Sequence, residues 1–212
     1  MKKLICATLL FLSSPVFAAS SLNAILTTQN LGKPLKSLGL GVSKESGYLK
    51  HEYTVNGCPL EVEVKDDASK TIVALSIEVS PKCQTAQLSD VLGAKKLPPL
   101  STLTFGQLDA LLGPARYMAD CLTLCGNAYN PAVAARWGSF SAEVLLVDGP
   151  AIDASMNWER AINSKYSEDY VVDNLFNCTK EFDEVAAREF KNVKVTKLTL
   201  RNPSIARECQ SK

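Results

Sequence analysis

The spacing of apolar side chains changes several times along the chain, and each change marks an element. From residue 48 the period is two. Leu49, His51, Tyr53 and Val55 alternate with Tyr48, Lys50, Glu52 and Thr54. Successive side chains of a strand point to opposite faces, so this stretch predicts a strand with one apolar side. Asn56-Gly57 follows, a pair that accepts the positive φ of a type I′ hairpin turn. Leu60, Val62 and Val64 then alternate with Glu61, Glu63 and Lys65, and Asp66-Asp67-Ala68-Ser69 supplies a second turn. Val73, Leu75, Ile77 and Val79 give a third strand. The pattern predicts an antiparallel meander, greasy on one face and wet on the other.

A helical period precedes it. Ser20-Ser21 can cap a helix over Leu22 to Gln29 with Leu22, Ile25 and Leu26 on one side, stopped by Gly32 and Pro34. A loop over 35–47 is expected next. After the meander, Ala86 to Leu100 reads as connecting chain ending in Leu97-Pro98-Pro99-Leu100. Thr102 or Thr104 then caps a helix carrying Phe105, Leu108, Leu111 and Leu112, ended by Gly113-Pro114. Tyr117-Met118-Ala119 is extended, and strands are expected over Val133–Trp137 and Ala142–Val147. In the tail, Met156, Trp158 and Ile162 predict a helix over 153–165. Thr179 can cap another, with Phe182, Val185, Ala186 and Phe190 inward, and Val193 to Leu200 is a last strand expected at a sheet edge.

The predicted fold is therefore α+β: two tandem helix-plus-antiparallel-meander units with a C-terminal helix-strand cap. The expected divisions are a signal peptide at 1–18, a first unit at 19–90, a linker at 91–101, a second unit at 102–150, and C-terminal helices and strand at 151–212 packed on the second unit.

The signal peptide sets the compartment. Lys2 and Lys3 precede the apolar run Leu4 to Leu12, and Val16-Phe17-Ala18 offers a cleavage site. The run is too short to span a bilayer, and Cys6 lies inside it without the setting of a lipid-attachment cysteine. A freely diffusing protein of the Gram-negative periplasm is expected, with no membrane span or lipid anchor. Removing the signal leaves Cys58, Cys83, Cys121, Cys125, Cys178 and Cys209, an even set in an oxidising compartment. Six cysteines allow 15 pairings; their clustering favours the local pairs Cys58–Cys83, Cys121–Cys125 and Cys178–Cys209. No CxxC spacing exists and His51 is the only histidine, which argues against a metal site.

Charge excludes another class. The formal charge of +1 falls to −1 without Lys2 and Lys3, and no basic block offers a footprint for nucleic acid.

The stretch Thr104-Phe105-Gly106-Gln107-Leu108-Asp109-Ala110-Leu111-Leu112-Gly113-Pro114, with a fainter copy around Leu22 to Pro34, resembles the repeat of beta-lactamase-inhibitory-protein-like folds. The small outer-membrane assembly lipoproteins of the SmpA/OmlA type carry a similar unit. The resemblance implies a sheet whose open face binds another protein and performs no chemistry.

Candidate sites follow in that light. The Cys121-Leu122-Thr123-Leu124-Cys125 loop suggests a stapled contact loop presenting Leu122, Leu124 and Tyr129. The other readings of that pair are a purely structural staple, which the spacing favours most, and a redox couple, which lacks the CxxC form. Trp137 fits either the core or an exposed aromatic patch, and Tyr48 and Tyr117 would extend that patch if they share the outer face. His51 falls on the inner face, where a buried, hydrogen-bonded role outweighs catalysis. Asp66-Asp67 is better explained by the turn than by acid–base work or calcium. The expectation is a non-enzymatic module with no cofactor and no catalytic residue. It binds an envelope protein as an inhibitor or immunity-type factor; a structural or assembly factor is the second expectation, and a hydrolase or thiol-redox enzyme the third.

Overall fold

Asn56 and Gly57 both take positive φ, 53° and 82°, and close the hairpin that begins the sheet. In the computed structural model, which describes residues 21–45, 49–93, 95–119, 122, 131–147, 149–167, 170 and 180–202, this hairpin joins β2 (Lys50–Val55) to β3 (Cys58–Val64). A short β1 (Lys44–Glu45) lies outside β2, within the stretch expected to be loop, and β4 (Ile72–Glu78) completes the first meander. Asp67 Oδ1 accepts from the Ser69 amide and hydroxyl in the β3–β4 turn, the side-chain-to-backbone bond that favours Asp there.

The second meander is β5 (Arg116–Ala119), β6 (Ala132–Trp137) and β7 (Phe140–Leu145). The last strand, β8 (Lys197–Arg201), was expected at a sheet edge. It lies instead between the two meanders, antiparallel to β4 on one side and β7 on the other. The result is one antiparallel sheet of eight strands in the order β1-β2-β3-β4-β8-β7-β6-β5. The reason is in its composition: Leu198 and Leu200 are buried on one face, but Thr199 on the other is buried too. A strand covered on both faces and bonded along both edges belongs in a sheet's interior.

The described helices pack against one side of this sheet. They are α1 (Leu22–Ile25), α2 (Ser89–Leu92), α3 (Phe105–Leu112), α4 (Gly149–Asn163) and α5 (Asp183–Phe190). Thr104 caps α3 through a reciprocal pair: its hydroxyl accepts from the Gln107 amide while the Gln107 side chain accepts from the Thr104 amide. Gly113, at φ 91°, ends it. The helix expected over 22–29 is shorter, giving way to a 3₁₀ turn at Thr28–Asn30. α5 begins at Asp183 with Phe182 in the capping position; the Thr179 cap lies outside the described residues.

The 86–100 stretch is not a free linker. Ala86, Leu88, Leu92 and Leu100 are buried in the core, and α2 forms there. The Asp90 carboxylate receives the Thr28 amide and the Thr27 and Thr28 hydroxyls, and the Gln87 amide donates to Asn23. These bonds fasten α2 to the end of α1. One apolar cluster runs from Leu22 and Ile25 through Leu75 and Leu198 to Phe105, Trp158 and Phe190, so both meanders share a core. No helix among the described residues is long and apolar enough to cross a membrane.

Candidate functional site

Strand register divides the sheet into two faces. Val55, Leu60, Val62, Leu75, Ile77, Leu198, Leu200, Phe140, Ala142, Val133 and Ala135 belong to the helix-covered core. Their neighbours along each strand form the opposite, outer face. Cross-strand pairing links Glu52, Glu61, Ser76, Thr199, Ser141, Arg136 and Arg116 into one row across seven strands. The row begins with carboxylates, passes through three hydroxyls and ends on two guanidinium groups.

The middle of this face is floored by small residues. Ala74 is fully buried yet stands apart from the apolar core, as its place on the outer face requires. Ser76, Thr199 and Ser141 are buried as well. What covers the β4 part of the floor is an arch of ion pairs. Glu63 and Arg201 flank Ala74 in register and join over it through two bonds, Nη1 to Oε1 at 3.3 Å and Nη2 to Oε2 at 2.7 Å. Lys197 reaches across β4 to Glu61 at 2.9 Å, and Lys50 meets the other Glu61 oxygen at 3.4 Å. A larger side chain at residue 74 or 76 would stand in the path of these arms. Burial pushes the Glu61 carboxyl upward, but Lys197 and then Lys50 outweigh it and hold it below the ordinary glutamate value.

At the hairpin end, a groove of about 660 Å³ opens between the 40–44 segment and the strands, lined among others by Val42, Glu52, Thr54, Pro59, Glu78 and Lys197. Val42 is fully exposed at its lip.

Arg136 stands apart from these pairs. It is half-buried, and its cross-strand neighbours are Ser141 and Arg116. No described carboxylate pairs with it. Burial lowers its tendency to hold a proton, and the like charges of Arg201 and Arg116 add to that. Arg116 itself is held by Asp183 at 3.5 Å.

The residues expected to contact a partner are mostly elsewhere. Tyr117 alternates inward on β5 and is buried among Phe105, Phe190 and Trp158. Its hydroxyl donates to Asp109 at 3.1 Å, and burial with the Asp109 charge keeps it protonated. It does not share the outer face. Trp137 lies on the core side, stacked on Phe140, and its indole N–H donates to the Gly113 carbonyl at 2.8 Å. Leu122 is buried in the core cluster, so it is not presented to a partner. Tyr48, Leu124 and Tyr129 lie outside the described residues, as do Cys121, Cys125, Cys178 and Cys209. Cys58 and Cys83 form the expected disulfide, tying the start of β3 to the turn after β4.

His51 is buried on the inner face, and its Nδ1 lies 2.8 Å from the Ser43 hydroxyl. That contact ties the 40–44 segment to the edge of the sheet, and no described carboxylate joins it to make a catalytic relay. The outer-face residues that the sequence left unmarked, Arg136 above all, follow an alternation visible in Val133, Ala135 and Trp137. The pairing that gathers them does not show in local pattern.

Comparison with known proteins gives no match among family models, curated proteins or solved structures.

Proposed function

We propose that the chain is an exported protein-binding module that seats a partner on the outer face of its sheet. The observation that carries this reading is the layout of that face. The described helices occupy the opposite side, and the outer face ranges charged side chains over a buried floor of small residues. Charged side chains ranged in this way select among partners more than they add affinity. An inhibitor or immunity-type factor for an envelope enzyme is the form of this activity we favour. Two tandem helix-plus-meander units, joined by the C-terminal strand, would build such a face. The resemblance of Thr104 to Pro114 to the inhibitory-protein repeat supports the same reading.

The test is co-purification from periplasmic extract with tagged variants. Charge reversal on the outer face, Glu52→Lys with Glu78→Lys, is expected to reduce recovery of a specific protein at least five-fold. Reversal on the helix side, Glu184→Lys, is expected to leave recovery unchanged. Equal recovery from all three proteins would count against the outer face. Purified protein that turns over peptidoglycan, lipid or thiol substrates would count against a binding role altogether.

A further inference from the structure

Three cationic side chains meet on the β5 side of the outer face, and one of them, Arg136, has no counter-charge among the described residues. Arg201 is committed to Glu63 in a two-bond pair, and Arg116 is held by Asp183. Arg136 lies between them, directly opposite Arg116 and Ser141 in the strand register. The acidic groups of this face do not relieve it. Glu61 serves Lys197 and Lys50, Glu63 serves Arg201, and Glu143, two residues along β7 from Ser141, makes no ion pair with it among the described residues. A half-buried guanidinium facing like charges is costly to maintain, because breaking or omitting one partner leaves an uncompensated charge.

The cost has a use if a carboxylate completes the set. A guanidinium presents five donors in a planar fork that matches the two oxygens of a carboxylate. The Ser141 hydroxyl, buried beside it, adds a donor that can turn toward the same anion. We infer that Arg136, backed by Arg116, Arg201 and Ser141, receives an Asp or Glu side chain of the protein seated on this face. This assignment rests on the docking reading above and names the partner chemistry it selects: an acidic side chain at the β5–β6 end of the interface. Burial, and then Arg201 and Arg116, lower the pKa of Arg136, the direction expected of a cation facing like charges without a counter-charge.

Hexaglutamate peptide is the probe. Titrated at low ionic strength into the ¹⁵N-labelled protein, it is expected to shift the Arg136 Nε–Hε signal in a saturable manner, with Ser141 moving alongside. Arg136→Gln should weaken binding roughly ten-fold or more, the loss of a charge-assisted contact. Arg136→Lys, which keeps the charge but not the fork, should fall between; it also serves if the Gln variant fails to fold. Lys82→Gln, an exposed cation away from this row, should leave binding as in wild type. An unmoved Arg136 signal, or affinities within two-fold across these proteins, would overturn the inference. Inorganic phosphate binding at Arg136 as tightly as hexaglutamate would overturn the protein-carboxylate assignment in favour of a small-anion site. The two readings fail separately. Equal capture of a partner by wild type and Arg136→Gln overturns this inference and keeps the docking face. A face that captures nothing, with Arg136 still answering hexaglutamate, overturns the docking face and keeps the carboxylate site.

Discussion

The hydroxyls of Ser76 and Thr199 lie 2.9 Å apart, joining strands β4 and β8 on the outer face at a separation of 123 residues. This is the seam where the first meander meets the C-terminal strand, and both side chains are buried. Ser76→Ala leaves the Thr199 hydroxyl buried without its partner and should cost about 1–3 kcal/mol. Ser76→Ala combined with Thr199→Val removes both polar groups and should recover most of that loss. Urea unfolding of the four proteins forms the double-mutant cycle. Additive losses would show that the two hydroxyls do not act as a pair.

Acid titration should separate two kinds of carboxylate. Burial pushes Asp90 upward, but the bonds from Thr28 and Thr27 outweigh it and hold it below the ordinary 3.8. Its folded value lies below its unfolded one, so its contribution is complete above the unfolded value and is lost as pH falls through the folded value. Burial raises Asp109 instead, despite its bonds from Tyr117 and the Ala115 amide. Its buried charge costs stability above the folded value, and that cost fades as pH falls through it. On acidification wild type should therefore lose stability relative to Asp90→Asn and gain stability relative to Asp109→Asn. Denaturation midpoints from pH 7 downward check both slopes; parallel slopes would contradict the assignment.

Gly106 sits where α3 meets the chain leaving α5. A Cβ there would stand 2.7 Å from both the Lys191 carbonyl oxygen and its Cγ, and the Gly106 amide donates to that same carbonyl at 3.0 Å. Alanine ordinarily favours a helix over glycine by about 1 kcal/mol. Here the close approach of the backbone reverses the sign, and Gly106→Ala should destabilise by about 1–3 kcal/mol. A thermal scan showing a raised midpoint would refute this.

The Cys58–Cys83 bond closes a segment of 25 residues. Loop-closure entropy for that length gives about 3.5 kcal/mol of stabilisation. Cys58→Ala with Cys83→Ala should lower the unfolding free energy by that order, with the sheet's circular dichroism retained. An unchanged free energy would place the brace elsewhere.

Local elements were legible in the chain because their signals are local. Asn56-Gly57 announced its hairpin through backbone freedom, and a threonine, Thr102 or Thr104, announced a helix start through its capping hydroxyl; the reciprocal bond from Gln107 fixes the cap at Thr104. The Cys58–Cys83 pairing followed from clustering. The position of β8 was not legible, because Leu198 and Leu200 alternate as an edge strand's residues would. Only the burial of Thr199 against Ser76 distinguishes a central strand, and that depends on a distant neighbour. Tyr117 and Trp137 also admitted an interface reading, for a related reason. Each has a polar tip that needs a partner, and Asp109 and the Gly113 carbonyl provide one inside. The outer face itself, assembled from Glu61, Arg201, Ser141 and Arg136, exists only through tertiary pairing.

The docking claim is tested most directly by photocrosslinking in the periplasm, with a photoreactive residue placed one position at a time. Thr54, Glu52 and Glu143 report on the outer face; Ile152 and Met156, exposed on α4, report on the helix side. The account predicts one discrete protein adduct from the outer-face positions and none from α4. Adducts from Ile152 or Met156 with none from the sheet would contradict it.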